Sequence, residues 1–128
     1  MEETVKLLID RGETIATMES CTGGGLANAI TNIPNASSVI KFSAVTYSNE
    51  YKIKMGVSKE IIDAYTVYSK ETAIAMARAI STFANADYGV GITGRFGVID
   101  PANLGGATDV VYVSIYDRQK NKDNVLII

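Results

Sequence analysis

The sequence predicts an α/β protein built around a mixed β-sheet. Helical and β-type segments alternate along most of the 128 residues, a pattern typical of strands laid side by side with helices packed on them. Near the end, β-type segments over Asp109–Tyr116 and Asn124–Ile128 flank a polar turn from Asp117 to Lys122. These segments predict an antiparallel hairpin, which makes the sheet mixed.

The elements of the first half follow from apolar spacing and from the residues that interrupt it. Apolar residues three and four apart predict a first helix, which Gly12 ends, and β-branched or aromatic runs predict the strands. In chain order, the expected elements are a helix over 3–11, a strand over 13–18, a helix over 22–32 ended near Pro34, a strand from Val39 to Tyr47 and a short helix over 49–55 capped by Ser48 or Asn49.

Capping residues and apolar runs define the elements of the second half in the same way. The expected elements are a helix beginning after Ser58, a mostly apolar helix from Lys70 to Phe83 whose start Ser69 and Thr72 flank, a strand from Tyr88 to Ile92 that runs into Thr93 and Gly94, and a loop over 95–107. The chain length fits one domain, expected to span residues 1–128.

Composition excludes several classes of protein. The net charge of −2 offers no basic surface for nucleic acid, and no apolar run approaches the roughly 20 residues of a membrane span. The single cysteine rules out an internal disulfide and suits a reducing compartment. We therefore expect a soluble, cytoplasmic protein that binds neither nucleic acid nor membrane.

The chain contains no histidine. A Ser-His-Asp triad or a Cys-His pair therefore cannot form within it, and a zinc site would depend on carboxylates and one thiol. The proton acceptor of any active site in this chain has to be Lys, Tyr, Asp or Glu.

The segment Glu19–Gly25 carries the strongest functional signal, because it places a hydroxyl, a thiol and three glycines between a predicted strand and a predicted helix. Glycines there allow close backbone approach, and the helix N-terminus presents N–H groups to an anion. Ser20 is the preferred nucleophile over Cys21, whose thiolate would need the helix dipole or a lysine to form. The alternative is that Ser20, Thr22 or a nearby residue only caps the helix. Glu19 is either a site carboxylate or the partner of a cation.

A second cluster lies in the segment Thr46–Lys52. Ser48 and Lys52 are four residues apart on one helix face, and a lysine in a partly dry pocket can accept a proton that Tyr47 orients or relays. The alternative is a solvated lysine and a tyrosine packed in the core. Ser20, Tyr47 and Thr93 each follow a predicted strand, so they are expected to share one crevice at the carboxyl ends of the strands.

Three blocks of sequence together carry a family resemblance: Thr17–Gly24, Val45–Lys52 and Gly91–Gly94. In that order they resemble the C-terminal domain of the competence/damage-inducible protein CinA, a domain also found alone as nicotinamide mononucleotide deamidase. The resemblance covers nearly the whole chain. It implies a three-layer α/β/α fold, a homodimer, and hydrolysis of the carboxamide of nicotinamide mononucleotide to nicotinic acid mononucleotide and ammonia, without a metal or another cofactor.

The resemblance also implies roles for individual residues. Ser20 would be the nucleophile, Lys52 the base and Tyr47 a proton relay or positioning group. The expected substrate contacts are Cys21, Thr22, Gly23, Gly24, Ser48, Thr93 and Gly94, with backbone N–H groups around Cys21–Gly24 as donors to an oxyanion or phosphate. Arg95 is either a phosphate clamp or a solvated loop residue.

Two departures from the family pattern leave another function open. The loop after Gly94 reads Arg-Phe-Gly-Val-Ile-Asp-Pro where the family carries Gly-Pro-Gly-Gly, and the chain ends before the family's Ser-Gly-[Asp/Asn]-Arg stretch and its C-terminal helix. The expected fold therefore lacks that helix and exposes an apolar face that a second copy or another chain covers. The alternative function is a catalytically degenerate module that binds a nucleotide or a partner protein.

Overall fold

The fold is a five-stranded mixed sheet with helices on both faces, as predicted. The computed structural model describes residues 1–95 and 109–128, so the predicted loop over 95–107 lies, apart from Arg95, outside the described residues. The strand order is β2-β1-β3-β4-β5. The strands are β1 Ile15–Glu19, β2 Ile40–Val45, β3 Tyr88–Gly94, β4 Val111–Asp117 and β5 Lys122–Ile127.

Strand direction divides the sheet into two parts. The strand β1 pairs in parallel with β2 and with β3, whereas β4 is antiparallel to both β3 and β5. The hairpin of β4 and β5 confirms the mixed sheet, although β5 begins at Lys122, inside the segment predicted to be a turn. The carboxyl ends of β1, β2 and β3 therefore meet at one edge.

The helices occur where apolar spacing and capping residues predict them. They are α1 Glu2–Arg11, α2 Gly25–Thr31, α3 Asn49–Lys54, α4 Lys59–Tyr65 and α5 Lys70–Ala84, and a 3₁₀ turn lies at Ala36–Ser38. The main difference from the predicted helices is at α2, which begins three residues later than expected. The cause is that Gly23 and Gly24 adopt left-handed backbone angles (φ 60° and 101°), which interrupt a helix.

Two apolar clusters, one on each face of the sheet, make the three layers. Side chains of α1 and α2 (Val5, Leu8 and Ile30) pack on Ile15, Val90 and Ile92 of one face. On the other face, Ile62 of α4 with Met76 and Ile80 of α5 pack on Ala16 and Met18. Beyond these clusters, apolar side chains at the end of β5 are exposed, namely Leu126, Ile127 and Ile128.

The helix α5 lies directly against the backbone of β3. A Cβ atom on Gly91 would lie 2.7 Å from Ala77 N and would also collide with Ala73 O, and one on Gly89 would lie 2.8 Å from Ser81 Cβ. No side chain fits between helix and strand at these positions. The glycines of β3 and the small residues of α5 therefore set the separation between the two elements.

The contact between α5 and β3 predicts that Gly91→Ala destabilises the fold by about 1–3 kcal/mol, because an added methyl group forces helix and strand apart. The measurement is the midpoint of urea unfolding. Gly25→Ala is the control, since a Cβ there would approach Thr22 Cβ no closer than 4.0 Å. Equal midpoints for the two variants would contradict the close packing.

Candidate functional site

The parallel strands bring three hydroxyl-bearing residues into one row. The ladder pairs Met18 with Ala44 on one side and with Gly91 on the other. Two further backbone hydrogen bonds, from Thr46 N to Glu19 O at 2.8 Å and from Ser20 N to Ile92 O at 3.0 Å, continue both ladders. Ser20 therefore lies between Thr46 and Thr93 at the carboxyl edge of the sheet.

Lys52 reaches this row from α3. The hydroxyl of Ser48 accepts a hydrogen bond from Tyr51 N and begins the helix there, which places Lys52 one turn further on. The Lys52 amine donates to Ser20 Oγ at 3.0 Å and to Thr46 O at 2.6 Å. Only 2% of Lys52 and 8% of Ser20 are exposed, so the interpretation of Lys52 as a solvated lysine is wrong.

A buried amine next to a buried hydroxyl is suited to nucleophilic chemistry. Removal from water disfavours the charged form of a lysine. A neutral amine can still donate one hydrogen bond, here to Thr46 O, while its lone pair accepts the hydroxyl proton of Ser20. The geometry therefore provides a Ser–Lys pair, one of the arrangements open to a chain without histidine, and the catalytic roles of both residues stay predictions.

The turn after β1 is held by the carboxylate of Glu19. This side chain is fully buried and accepts hydrogen bonds from Thr22 Oγ1 at 2.6 Å, Leu26 N at 2.8 Å and Ala27 N at 2.9 Å. The side chain that caps α2 is therefore that of Glu19, so the residue near Ser20 and Thr22, and neither of those two, fills the capping role left open by the sequence. The first N–H groups of α2 already donate hydrogen bonds within the protein, so they are not available to bind an anion.

The turn itself retains N–H groups that could face a substrate. Within it, Gly23 N donates to Ser20 O and Gly25 N donates to Thr22 O, both at 3.0 Å. These bonds close a tight loop directly after Ser20. The N–H groups of Cys21, Thr22 and Gly24 are the ones in this turn with no such backbone partner among the described residues.

Thr93 and Gly94 lie at the same edge but have clear structural roles. The Thr93 hydroxyl donates to Val67 O at 2.7 Å and only 1% of the residue is exposed. A Cβ on Gly94 would lie 2.7 Å from Val111 Cα, so the strand pairing there requires glycine. Their contacts with a substrate stay predictions.

Arg95 is buried against an aromatic ring. Only 7% of the residue is exposed, and its guanidinium carbon lies 4.1 Å from the centre of the Tyr68 ring. The interpretation of Arg95 as a solvated loop residue is therefore wrong. Its predicted contact with a phosphate is not tested by these contacts.

Tyr47 and Ser48, two further residues predicted to belong to the site, have different environments: Tyr47 is exposed to solvent, whereas Ser48 caps a helix. Tyr47 is 77% exposed, and among the described residues no hydrogen bond joins its hydroxyl to Ser20 or Lys52. The alternative that Tyr47 packs in the core is wrong. Ser48 uses its hydroxyl oxygen to cap α3, so the structure assigns it a positioning role for Lys52.

Sequence reasoning missed two contributions to the site. One is the carbonyl of Thr46 that binds the Lys52 amine, since a main-chain contact leaves no signature in residue type. The other is the triple hydrogen bond of Glu19, which the spacing of a carboxylate seven and eight residues before two backbone donors could have suggested.

The environment of Cys21 favours Ser20 as the nucleophile. Burial raises the pKa of the Cys21 thiol, and this outweighs the opposing effects of nearby backbone N–H groups and of the charge on Lys52. The thiolate is the reactive form of cysteine. A thiol with a raised pKa is therefore a poor nucleophile at neutral pH.

The described residues contain neither a metal-binding cluster nor a membrane span. In residues 1–95 and 109–128, no three Cys, Asp or Glu side chains converge to hold a metal ion. No helix in the same ranges is long and apolar enough to cross a bilayer.

Comparison with known proteins identifies the family. The CinA C-terminal domain matches residues 1–125. The chain belongs to the CinA C-terminal domain family. Among curated relatives named competence-damage inducible protein, one from Caldanaerobacter subterraneus subsp. tengcongensis is 52% identical over 99 residues, which cover 76% of this chain and 24% of that protein. One from Clostridium botulinum is 43% identical over 126 residues, 94% of this chain and 30% of that protein. The chain thus spans 24% to 30% of the length of these relatives.

Solved structures of the CinA superfamily have the same fold. A competence-damaged protein (CinA) superfamily structure from Escherichia coli superposes with a TM-score of 0.89 at 25% identity, over 99% of this chain and 73% of that one. A competence/damage inducible protein from Agrobacterium tumefaciens gives 0.80 at 31% identity, over 99% and 78%. The α/β fold predicted for this CinA family member is confirmed.

The role of Glu19 predicts that Glu19→Gln lowers the free energy of unfolding by about 1–3 kcal/mol, because an amide cannot accept all three hydrogen bonds in a buried site. Chemical denaturation at neutral pH measures the change. The control is Glu50→Gln, whose carboxylate is 67% exposed and lies 3.2 Å from Lys54, a pair whose loss costs at most about 1 kcal/mol. Equal losses would show that Glu19 does not hold the turn.

Iodoacetamide alkylates the thiolate of Cys21, so the rate of alkylation increases with pH. Because the pKa of this thiol is raised in the folded protein, the pH midpoint of that increase is expected to be higher for the folded chain than for the urea-unfolded chain. The single cysteine makes the rate unambiguous. Because the folded state holds the proton more tightly, this group's contribution to stability is complete below the unfolded pKa and is lost as the pH rises through the folded pKa. A folded midpoint at or below the unfolded one would contradict the effect of burial.

Proposed function

We propose that this chain hydrolyses the carboxamide of nicotinamide mononucleotide, with Ser20 as nucleophile and Lys52 as base, giving nicotinic acid mononucleotide and ammonia. The observation that carries the proposal is the 3.0 Å contact between the Lys52 amine and Ser20 Oγ in a buried site. Membership of the CinA family supports it, because the family resemblance implies this reaction.

The reaction proceeds in two balanced halves. The neutral Lys52 amine takes the Ser20 hydroxyl proton as Oγ bonds to the carboxamide carbon, and the carbonyl oxygen becomes an oxyanion. The Lys52 ammonium then gives that proton to the amide nitrogen, the C–N bond breaks and ammonia leaves. In the second half, Lys52 takes a proton from water, the resulting hydroxide attacks the Ser20 ester, and the proton returns to Oγ.

The turn after Ser20 supplies the groups that would meet the oxyanion. Backbone N–H groups at the position of a developing negative charge stabilise it without reorganising, which is worth several kcal/mol in known hydrolases. In this chain the candidates are Cys21, Thr22 and Gly24, because Gly23 N already donates to Ser20 O. The carboxylate of Glu19 keeps this turn in place.

The proposal predicts that Ser20→Ala and Lys52→Met each reduce ammonia release from nicotinamide mononucleotide by at least about 100-fold, because each removes one half of the proton-transfer pair. Ammonia is measured with the purified protein at saturating substrate. Lys54→Met is the matched control, since Lys54 lies on the same helix with its side chain 58% exposed. Cys21→Ala tests the rival nucleophile and is expected to keep its activity.

Three results would contradict the proposal. These are no ammonia release from the folded unmodified protein, full turnover by Ser20→Ala, or equal losses in the Lys52 and Lys54 variants. Binding of the nucleotide without turnover would favour the alternative of a degenerate binding module.

Tyr47 and the oligomeric state stay predictions under this proposal. The exposed Tyr47 hydroxyl can act as a proton relay only if the bound substrate brings it close to Lys52, so Tyr47→Phe separates a hydroxyl role from a contact made by the ring.

The homodimer implied by the resemblance is tested by light scattering of the same sample.

A further inference from the structure

The hydroxyl of Thr46 is buried without a hydrogen-bond partner. Only 2% of the residue is exposed, and Thr46 Oγ1 makes no hydrogen bond among the described residues. An unsatisfied buried hydroxyl costs about 1–3 kcal/mol, and such groups are uncommon enough in folded proteins to require an explanation. The mechanism derived above uses the carbonyl of Thr46 but not its side chain.

The side chain of Thr46 lies on the same face of the sheet as Ser20. Ala44 packs in the cluster beneath α4 and α5 together with Met18. Because strand residues alternate between faces, Thr46 and Ser20, each two residues further on, lie on that face too. Neighbouring strands are about 4.8 Å apart, so Ser20 and Thr46 lie side by side on this face, each directly after its strand.

The position of Lys52 fixes which substrate group comes near Thr46. Under the proposed function, on which this inference rests, the amine that takes the Ser20 proton also protonates the leaving nitrogen. That amine lies 2.6 Å from Thr46 O. The leaving –NH₂ group must therefore lie on the Thr46 side of Ser20, whereas the oxyanion lies on the side of the turn that begins at Cys21.

We propose that the Thr46 hydroxyl accepts a hydrogen bond from the –NH₂ group of the substrate carboxamide and so orients the leaving nitrogen towards the Lys52 amine. A primary amide has two N–H donors. One of them satisfies the buried hydroxyl, and the nitrogen lone pair that forms during attack is left to receive the proton. Thr46 is thus a substrate-contacting residue that favours amides over esters.

The test compares Thr46→Val with Thr46→Ser on two substrates, nicotinamide mononucleotide and the methyl ester of nicotinic acid mononucleotide, whose leaving group carries no N–H. The loss of one such hydrogen bond corresponds to about a tenfold change in rate. We expect Thr46→Val to lower kcat/KM about tenfold for the amide and to leave the ester nearly unchanged. Thr46→Ser keeps the hydroxyl and is expected to keep the ratio of amide to ester turnover.

Thermal stability separates this role from a structural one. Valine matches the shape of threonine but removes the unsatisfied hydroxyl, so the Tm of Thr46→Val should equal or exceed that of the unmodified protein. Serine leaves a small gap and should lower the Tm. Thr46→Val is therefore expected to lower amide turnover without lowering the Tm, and Thr46→Ser to lower the Tm while keeping the ratio of amide to ester turnover.

Each outcome decides the inference. Unchanged amide turnover in Thr46→Val, or equal losses for amide and ester, would overturn it while leaving the Ser–Lys proposal intact. If the unmodified protein releases no ammonia, the proposed function fails, and the inference is then judged by the Tm shift that nicotinamide mononucleotide produces. A shift in the unmodified protein and in Thr46→Ser but not in Thr46→Val would sustain a contact with the substrate. An equal shift in all three, or none in any, would overturn it.

Discussion

The register of the three parallel strands determines where each candidate group lies. Ser20, Thr46 and Thr93 are distant in sequence, yet the ladders of β1 with β2 and β3 place them side by side. A slip of one residue in either pairing would turn one of these side chains to the opposite face. The site thus depends on pairing that the apolar clusters on both faces enforce, because a slip would also expose core side chains such as Met18.

Two buried ionisable groups lie close to Ser20, and each has its own set of partners. The Glu19 carboxylate is bound by two backbone N–H groups and one hydroxyl. The Lys52 amine contacts a carbonyl and the Ser20 hydroxyl. Both groups act on the Cys21 thiol: the charge on Lys52 lowers its pKa and the charge on Glu19 raises it. Burial, which raises the pKa, is the largest of these effects.

The sequence was sufficient to predict the layered sheet, the late hairpin and the residues that gather at its edge, since apolar period, capping serines and glycine positions are local signals. It predicted Ser20 and Lys52 from residue type and from family resemblance. It left the cap of α2 open between Ser20, Thr22 and a nearby residue, and it could not single out Glu19, because the choice between competing acceptors depends on the path of the turn. The contact of the Lys52 amine with the carbonyl of Thr46 could not be predicted from the sequence either, because a residue of any type at position 46 has a carbonyl. The burial of Arg95 depends on the Tyr68 ring, which lies 27 positions earlier in the chain.

The close contact of α5 with the glycines of β3 makes one side of the site more rigid than the other. On one side, helix and strand touch backbone to backbone, and the segment before α5 is tied to β3 through Thr93 and Val67. On the other side, β2 lies at the edge of the sheet and, among the described strands, pairs with β1 alone, and it leads directly to Tyr47 and α3. A bound molecule that differs in size from the preferred one would be accommodated by displacement of the β2 side. Changes that broaden or narrow the range of accepted molecules are therefore expected to accumulate in residues 45–55, while the wall formed by β3 and α5 acts as a fixed reference surface.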